Sequence, residues 1–567
     1  MRKCLLMKVQ IFLGITAAAC SAFFASTSNA QEDFGKLAPL LDGLGDYSYP
    51  VSDCSGPAQR FFDQGLRLFY GFYFPESLAS FREAARLDPD CPMAYWGEAL
   101  AIAPNPNSRY FGFPDDPKGA GAEAISRAIR QMGRASDRDR GLIEALKVLY
   151  DSSAEPESAR RDRAYVESLR ALHVRYPKDP EVETLYAAAL MMISAWEYWT
   201  PDGRPRPGTT EAMAALNNVL KIHPQHPGAN HLFIHLLENS QHPELALPHA
   251  ERLADAMPGA GHIVHMPSHI YIRMGLYTEA VESNRRSLAA DKTFVAAWGD
   301  RGLPMGVASL SLSATNHGVH AEDFLHMAAV LQGNYETAME SARRVAARSE
   351  PKVATSGTAQ RRYVRPMLTD RRFGKWDRIL RVPAPDHAYP FLRGVWHYVR
   401  GSAYAATGKL AEADRELAEL RTVANAEEMK QLMTRVNSAS TLLTLAQHVL
   451  TAEIAVKQGD VDQALAHLES AVRIEDGLRF MEPPDWGHPA RHTLGEVLLA
   501  AGRAKEAESV YWEDLRRNPE NGWSLFGIWQ SLLQQGKEAR AAEIEKRFQK
   551  AWAHADVTLE NGRPTGR

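Results

Sequence analysis

Cysteine is scarce in this chain of 567 residues, which contains four. Two of them, Cys4 and Cys20, lie within the first 30 residues, and the other two are Cys54 and Cys91. No two cysteines have the close CxxC spacing of redox motifs and zinc ribbons. This absence disfavours a catalytic thiol pair or a thiolate metal site.

Long apolar runs are absent beyond residue 30. The nearest approach to one, residues 185–196, is too short to cross a bilayer and is typical of a buried core helix. The sequence therefore predicts no transmembrane segment after the first 30 residues.

Residues 1–30 themselves have the composition of an export signal. A basic start is followed by an apolar run, residues 9–26, and by small residues that end at Ala30. We expect cleavage after Ala30 and an exported protein, either periplasmic or secreted. Lipidation at Cys20 is the alternative, although the residues before it lack the large aliphatic side chain usual at such sites.

Familiar catalytic motifs are absent too. The sequence has no glycine-rich phosphate loop after a strand, no Gly-x-Ser-x-Gly elbow and no His-Glu-x-x-His helix. With residues 1–30 removed, 62 basic residues face 69 acidic ones, a formal net charge of −7. This charge argues against nucleic acid as a partner.

Export would leave two cysteines in an oxidising compartment, where they can pair. Cys54 lies just before one helical pattern and Cys91 just after the next. Because an antiparallel helical hairpin brings those two ends together, we predict a disulfide between them. A catalytic thiol pair or a metal site is the alternative.

Pairs of helical patterns recur along the chain. The clearest is HTLGEVLLAAGRAKEAESVYWEDLRRNPEN, residues 492–521, and its spacing resembles the signature of the tetratricopeptide repeat (TPR) superfamily. The signature positions are Leu494, Gly495, Leu498, Gly502, Ala507, Tyr511 and Pro519. Weaker copies keep a turn glycine and a following alanine at Gly275 and Ala280, Gly333 and Ala338, Gly408 and Ala413, and Gly459 and Ala464.

The resemblance implies an all-α solenoid of antiparallel helical hairpins, wound as a right-handed superhelix without a sheet. It covers residues 55–553 and is irregular between 100 and 215. Residues 31–54 form an N-terminal extension and residues 554–567 a C-terminal tail. Stretches such as HPGANHLFIHLLENSQHPELAL and EPPDWGHPAR are further similar to a group of exported bacterial TPR proteins, a likeness that implies a fold and no activity.

Histidine is concentrated in one part of the chain. Nine of the 20 histidines lie between residues 223 and 269, where an even distribution would place fewer than two. Such an excess indicates metal binding or a titrating surface.

The repeat register aligns two histidine pairs. One 34-residue TPR period places His231 over His265 and His235 over His269. In the TPR superfamily the first helix of each repeat lines a concave groove, so the resemblance implies that both pairs face it. The same count directs five further side chains to the groove: Glu238, His262, Arg273, His320 and His492.

Four imidazoles on neighbouring helices can converge on one ion at about 2.0 to 2.1 Å. The sequence therefore predicts a metal site of His231, His235, His265 and His269 for copper, zinc or iron, with Glu238 as a further ligand or as an acceptor that orients an imidazole. The alternative is that these histidines are polar groove residues that bind no metal.

Pro267 interrupts the second histidine pair. Because proline removes a backbone hydrogen bond, we expect a helix to kink between His265 and His269 or to begin near Pro267.

Two functional hypotheses follow. The first is an exported protein that binds a protein, peptide or small-molecule partner in its groove, beside a histidine-rich metal site. The second is a metal-dependent oxidase, oxygenase or hydrolase with the histidines as its active site and Glu238 as the base.

Overall fold

The computed structural model describes residues 36–107, 116–152, 157–200, 202–299, 317–560 and 563–565. The predicted export signal, residues 1–30, lies outside these residues, as does the lipidation alternative at Cys20.

Helices account for nearly all regular structure in the described residues, which confirms the predicted all-α class. The first half contains α1 (Gly56–Tyr70), α2 (Phe74–Leu87), α3 (Pro92–Ile102), α4 (Pro117–Gln131), α5 (Asp137–Tyr150), α6 (Ser158–Arg175), α7 (Pro180–Ile193), α8 (Thr209–Ile222), α9 (Pro227–Leu237), α10 (Leu247–Ala256), α11 (Gly261–His265), α12 (Pro267–Arg273) and α13 (Tyr277–Trp298). The second half contains α14 (His317–Leu331), α15 (Tyr335–Ser349), α16 (Gly357–Tyr363), α17 (Arg365–Arg372), α18 (Trp376–Arg381), α19 (Pro390–Ala406), α20 (Leu410–Asn425), α21 (Glu427–Gln431), α22 (Ala439–Gln458), α23 (Val461–Asp476), α24 (Ala490–Ala500), α25 (Ala504–Arg517), α26 (Gly522–Gln534) and α27 (Glu538–Ala551).

Short glycine turns join many of these helices into TPR-like hairpins. The turn between α24 and α25 has Gly502 at φ 74°, and Arg503 N donates back to Leu498 O at 2.8 Å. This backbone bond closes the helix end, and its left-handed residue is one that glycine adopts without a steric penalty. The predicted turn glycines Gly275, Gly333, Gly408 and Gly459 have φ values of 75°, 72°, 79° and 85°.

A second glycine of the repeat, Gly495, lies where two helices approach each other closely. A Cβ on Gly495 would lie 2.3 Å from the ring of Tyr511, which belongs to the following helix. The small residue therefore lets α24 and α25 pack around one buried aromatic side chain, as the TPR spacing predicts.

The stretch from 100 to 215, expected to be irregular, contains helices α4 to α8. Helix α4 begins at Pro117 because the Asp116 side chain accepts a hydrogen bond from Gly119 N and proline suits the first helical position. Connections of irregular backbone remain in this stretch, including residues 194–200 and 202–208.

One described helix, α22, is long and apolar enough to cross a membrane by length and composition. Its apolar side chains, including Leu443, Val449 and Leu450, are buried in an interior cluster with residues of α19 and α20. The helix is therefore accounted for as a core helix of the solenoid.

Both ends of the described chain are attached to helices. The N-terminal extension is held by the bond from Leu37 N to the Glu83 carboxylate, 3.0 Å. Near the C terminus, Asp556 accepts hydrogen bonds from the first backbone N–H groups of α15, at 2.6 and 2.7 Å. The tail also forms a two-stranded antiparallel hairpin, β1 (Thr558–Glu560) with β2 (Arg563–Thr565), which the prediction of a fold without a sheet did not include.

Contacts between distant repeats add to those between neighbours. Tyr277 donates to Pro519 O at 2.7 Å, and the indole N–H of Trp523 donates to Val330 O at 2.9 Å. Tyr73, near the start of the chain, donates to Asp291 at 3.0 Å. The middle repeats are therefore packed against segments from both ends of the chain.

A disulfide joins Cys54 and Cys91, as the sequence predicts, with their Cα atoms 4.8 Å apart. It links Cys54, two residues before α1, to Cys91, the residue before α3, and so closes the first hairpin. The hydrogen bond from Ser55 N to the Asp88 carboxylate, 2.7 Å, holds the same ends together.

We expect the double variant Cys54→Ser with Cys91→Ser to lower the free energy of unfolding by about 2 to 4 kcal/mol, because the unfolded chain regains the freedom of a long loop. Urea unfolding followed by circular dichroism measures the difference. Alkylation and mass measurement of the native wild-type protein provide the control, and two free thiols there would contradict the disulfide.

Candidate metal centre

Helix α9 supplies the first two histidines of the site. His231 and His235 lie one turn apart on one face and are 0% and 4% exposed. The helix starts where the His226 side chain accepts a hydrogen bond from Ala229 N at 3.0 Å. Both histidines face the protein interior, not an open groove.

Pro267 divides the second histidine segment into two helices. Helix α11 ends at His265 and α12 begins at Pro267, so the interruption predicted there is a helix break. The break places the Nε2 atoms of His265 and His269 3.0 Å apart. His262 is on α11 as well, and all three side chains are buried.

Helix α14 brings in a sixth histidine, His320. Its ring centroid lies 4.8 Å from that of His265 and 5.7 Å from that of His269. The ring of Phe324, one turn further along α14, contacts the same pair at 4.7 and 4.4 Å.

The structure divides the histidines differently from the predicted set of four. Ligand atoms of His231, His235 and His262 lie within 4.8 Å of one another, and so do those of His265, His269 and His320. The predicted pairs are thus each completed by a third histidine that the sequence had directed only to the groove. We call the six residues the histidine array, and the two groups the first and second triads.

Fixed acceptors hold the Nδ1 side of four rings. Nδ1 of His231 donates to Tyr70 O at 2.5 Å, and Nδ1 of His265 donates to the Asn284 side-chain oxygen at 2.5 Å. The acceptors of the other two rings are carboxylates. Nδ1 of His235 lies 3.2 Å from the Glu238 carboxylate. Nδ1 of His269 lies 2.8 Å from Glu238 and 2.5 Å from Glu482. A proton on Nδ1 leaves the Nε2 lone pair of a neutral ring available to a metal.

Two of these Nε2 atoms have no hydrogen-bond partner. Nε2 of His231 and Nε2 of His235 are buried and unpaired among the residues that the structure describes. A buried polar atom without a partner destabilises a protein by about 1 to 3 kcal/mol. The first triad therefore has donor atoms whose bonding capacity is unmet.

Burial and charge set the protonation of the array. Burial lowers the pKa values of His231 and His320 well below the usual histidine value, so both rings are neutral. Burial also acts to lower the pKa of His269, but the carboxylates of Glu238 and Glu482 raise it to about 10. In the metal-free protein, His269 accordingly carries a second proton, which its Nε2 donates to Nε2 of His265.

Glu238 lies on the Nδ1 side of His235 and His269, away from their Nε2 atoms. Burial acts to raise its pKa, but the two imidazoles lower it to about 2, so it is ionised. Of the roles considered for Glu238, this position favours the acceptor that orients imidazoles over a base or a metal ligand. Glu482, from the loop before α24, is a second acceptor of the same kind.

Aromatic residues enclose the first triad. The ring of Phe72 lies 4.3 Å from His231 and stacks on His235 at 5.6 Å, and Trp196 meets His235 edge-on at 4.9 Å. Phe72 and Trp196 have φ values of 61° and 67°, a backbone region that costs a bulky residue about 1 to 3 kcal/mol. Sequence reasoning missed Phe72, because nothing in a single sequence signals a left-handed phenylalanine.

The two remaining predicted groove residues, His492 and Arg273, are not part of the array. His492 is buried 2.8 Å from Asp514 and accepts a hydrogen bond from Arg372 at 2.7 Å, in a network apart from the array. Arg273 donates to Ser240 O and Arg517 O. The C-terminal repeats and the loop that carries Glu482 pack over this face, which is why it is not an open groove here.

A cavity of about 200 Å³ lies beside residues that contact the second triad, although none of the six histidines is among its lining residues. Phe324 and Glu482, both in contact with His269, form part of its wall, together with Arg273, Glu475 and Trp486. Burial raises the pKa of Glu475 to about 8. The cavity has apolar walls and charged groups, as small-molecule sites do.

No protein-family model and no curated protein matches this chain. Solved structures that are similar include the human IFIT1 dimer with m7Gppp-AAAA, at 14% identity over 88% of this chain and 90% of that one with a TM-score of 0.32. Yeast Tom70 is 9% identical over 87% and 90% of the two chains, with a TM-score of 0.27. The TPR domain of P58(IPK) is 10% identical over 85% and 99%, with a TM-score of 0.21. The similar structures are TPR-containing helical solenoids, but likeness at this level assigns neither a family nor a function.

We expect Asp514→Asn to lower the free energy of unfolding by about 2 kcal/mol, the size of hydrogen bonds to a buried charge. Burial acts to raise the pKa of Asp514, but bonds from His492, Ser524 and Asn518 lower it to about 2. Because the folded pKa lies below the unfolded value of 3.8, this stabilisation is present above pH 3.8 and is lost as pH falls toward 2.

Urea unfolding at a series of pH values tests this pH dependence. Glu513→Gln is the matched control, since its side chain is 37% exposed and its ion pair with Arg516 should contribute less than about 1 kcal/mol. A difference between Asp514→Asn and wild type that stays constant from pH 7 to pH 2 would show that the carboxylate charge is not the cause.

Proposed function

We propose that this chain is an exported helical-repeat protein that holds a transition metal in its buried histidine array. The observation that carries the proposal is the pairing of fixed Nδ1 acceptors with unpaired Nε2 atoms at His231 and His235. Metal-ligating histidines almost always donate their other ring N–H to such an acceptor, which fixes the tautomer and the ring orientation. An ion bound by the Nε2 atoms would satisfy the buried lone pairs.

Copper, zinc and iron are the metals that suit these donors. Imidazole nitrogen binds all three, and among divalent ions of the first transition row copper binds most tightly at a given site. Cysteine sulfur takes no part, because Cys54 and Cys91 are joined to each other. Copper(II) and zinc(II) are therefore the probes of choice.

Export is supported by the sequence of residues 1–30 and by the Cys54–Cys91 disulfide. Disulfides persist in secreted and periplasmic proteins and are rare where thiols are kept reduced. The metal would then be acquired in the periplasm or outside the cell.

The ligand proposed for this protein is a small molecule, bound in the cavity beside the second triad. Phe324 and Glu482 belong both to the cavity wall and to the surroundings of His269, so a molecule there would contact side chains that pack against the second triad. A nucleic acid partner is not proposed, given the net charge of the chain. Turnover is not proposed either, because the carboxylate of Glu238 is engaged by two Nδ1 atoms.

We expect the double variant His235→Ala with His269→Ala to lose metal, because each triad then lacks one of its imidazoles. The measurement is the metal content of tag-free protein that was stripped, reloaded with copper(II) and dialysed. All proteins carry His448→Ala, since Nδ1 of His448 lies 2.8 Å from Nδ1 of His467 in a half-buried pair that can bind copper by itself.

His397→Ala is the control. His397 is 5% exposed and donates to Glu416 at 2.6 Å, so its loss perturbs a buried histidine without touching the array. It should keep the metal content of the His448→Ala protein. Unchanged copper and zinc content in a folded double variant would refute the proposal.

A further inference from the structure

The six histidines of the array exceed the four ligands of one tetrahedral ion. A tetrahedral site takes four ligands at about 2.0 to 2.1 Å, which places nitrogen atoms roughly 3.4 Å apart. The ligand atoms of the array fall into two groups of three, and within each group they lie within 4.8 Å of one another. Each triad therefore has the size of a site for one ion.

The two triads are nevertheless adjacent. The ring of His235 in the first triad lies 5.6 Å from that of His269 in the second, and the rings of His262 and His265 are 5.9 Å apart. These distances are close to those within each triad, where ring centroids lie 4.8 to 6.4 Å apart in the first and 4.8 to 5.7 Å apart in the second.

One carboxylate connects the triads. Glu238 accepts from Nδ1 of His235, in the first triad, and from Nδ1 of His269, in the second. A single buried anion thus orients one imidazole of each triad, so both are positioned by the same side chain. Each triad also has its own aromatic cover, Phe72 over the first and Phe324 beside the second.

A different grouping of the same residues is less suited to a metal. Glu238, His269 and Glu482 also lie close enough together to hold an ion. In that group, however, Nδ1 of His269 already donates to both carboxylates, so the three side chains satisfy one another. In the first triad, by contrast, the Nε2 atoms of His231 and His235 are unpaired. In the second triad, an ion would replace the proton that Nε2 of His269 donates to Nε2 of His265.

Resting on the metal binding proposed above, we infer that the array is a two-ion centre, with one ion held by His231, His235 and His262 and the other by His265, His269 and His320. Three protein ligands for each ion leave a position open at both, which is the arrangement of sites that bind an exogenous ligand. Phe324, which contacts His265 and His269, is part of the cavity wall, so the second ion is the nearer of the two to a small molecule bound there.

The test compares copper stoichiometry in four proteins, each full-length and carrying His448→Ala. The unaltered array should bind two copper(II) ions per chain. His262→Gln removes a ligand from the first triad and His320→Gln one from the second, so each should bind one. His397→Gln, the matched control outside the array, should bind two. Circular dichroism verifies that each variant is folded.

Electron paramagnetic resonance adds a readout of distance. Two copper(II) ions a few ångströms apart interact magnetically, so the fully loaded array should give less signal than two isolated ions. His262→Gln and His320→Gln, which each keep one intact triad, should each give the full signal of one isolated copper(II) ion.

The outcomes separate the inference from the proposal on which it rests. One copper per chain, lost entirely in both His262→Gln and His320→Gln, would overturn the two-ion centre while leaving metal binding intact. Two copper ions with the full signal of isolated ions would overturn their adjacency. No copper in the unaltered array would refute the proposed function itself.

Discussion

The candidate centre depends on the hydrogen bonds that hold imidazole Nδ1 atoms against fixed acceptors. The carbonyl of Tyr70, the amide of Asn284 and the carboxylates of Glu238 and Glu482 come from four separate parts of the chain. Each acceptor settles both the tautomer and the angle of the ring that it contacts. With Nδ1 held in this way, Nε2 of His265 lies 3.0 Å from Nε2 of His269, and the Nε2 atoms of His231 and His235 are buried away from water.

That constraint explains why the solenoid has contacts beyond those between adjacent repeats. Glu482 reaches His269 from more than two hundred residues away along the chain. Tyr277 and Trp523 bond across similar separations, and they attach the C-terminal repeats to the repeats that carry the array. A stack with contacts only between neighbours would leave the histidine face open, whereas this packing covers it.

The sequence predicted more of the fold than of the candidate site. Two features of the fold depend only on residues within one hairpin: the turn glycines, and the contact between Gly495 and Tyr511. The structure contains both, as the repeat spacing predicts. The pairing of His231 with His235 was local too, because a helix sets it. Grouping these with His262, and His265 with His320, required the relative positions of separate helices, which one sequence does not provide.

The sequence by itself determined the all-α class, the hairpin repeat, the site of the disulfide and the concentration of histidine in one segment, because each follows from periodicity or spacing along the chain. The tertiary structure alone decided that five of the six histidines are buried and His320 is partly so, that they fall into two triads, and that Phe72 and Glu482 belong with them. Burial and convergence depend on segments such as 70–74 and 480–487, which meet the central repeats only after long-range packing. Local rules specify which face of a helix a residue occupies, but long-range packing specifies what covers that face.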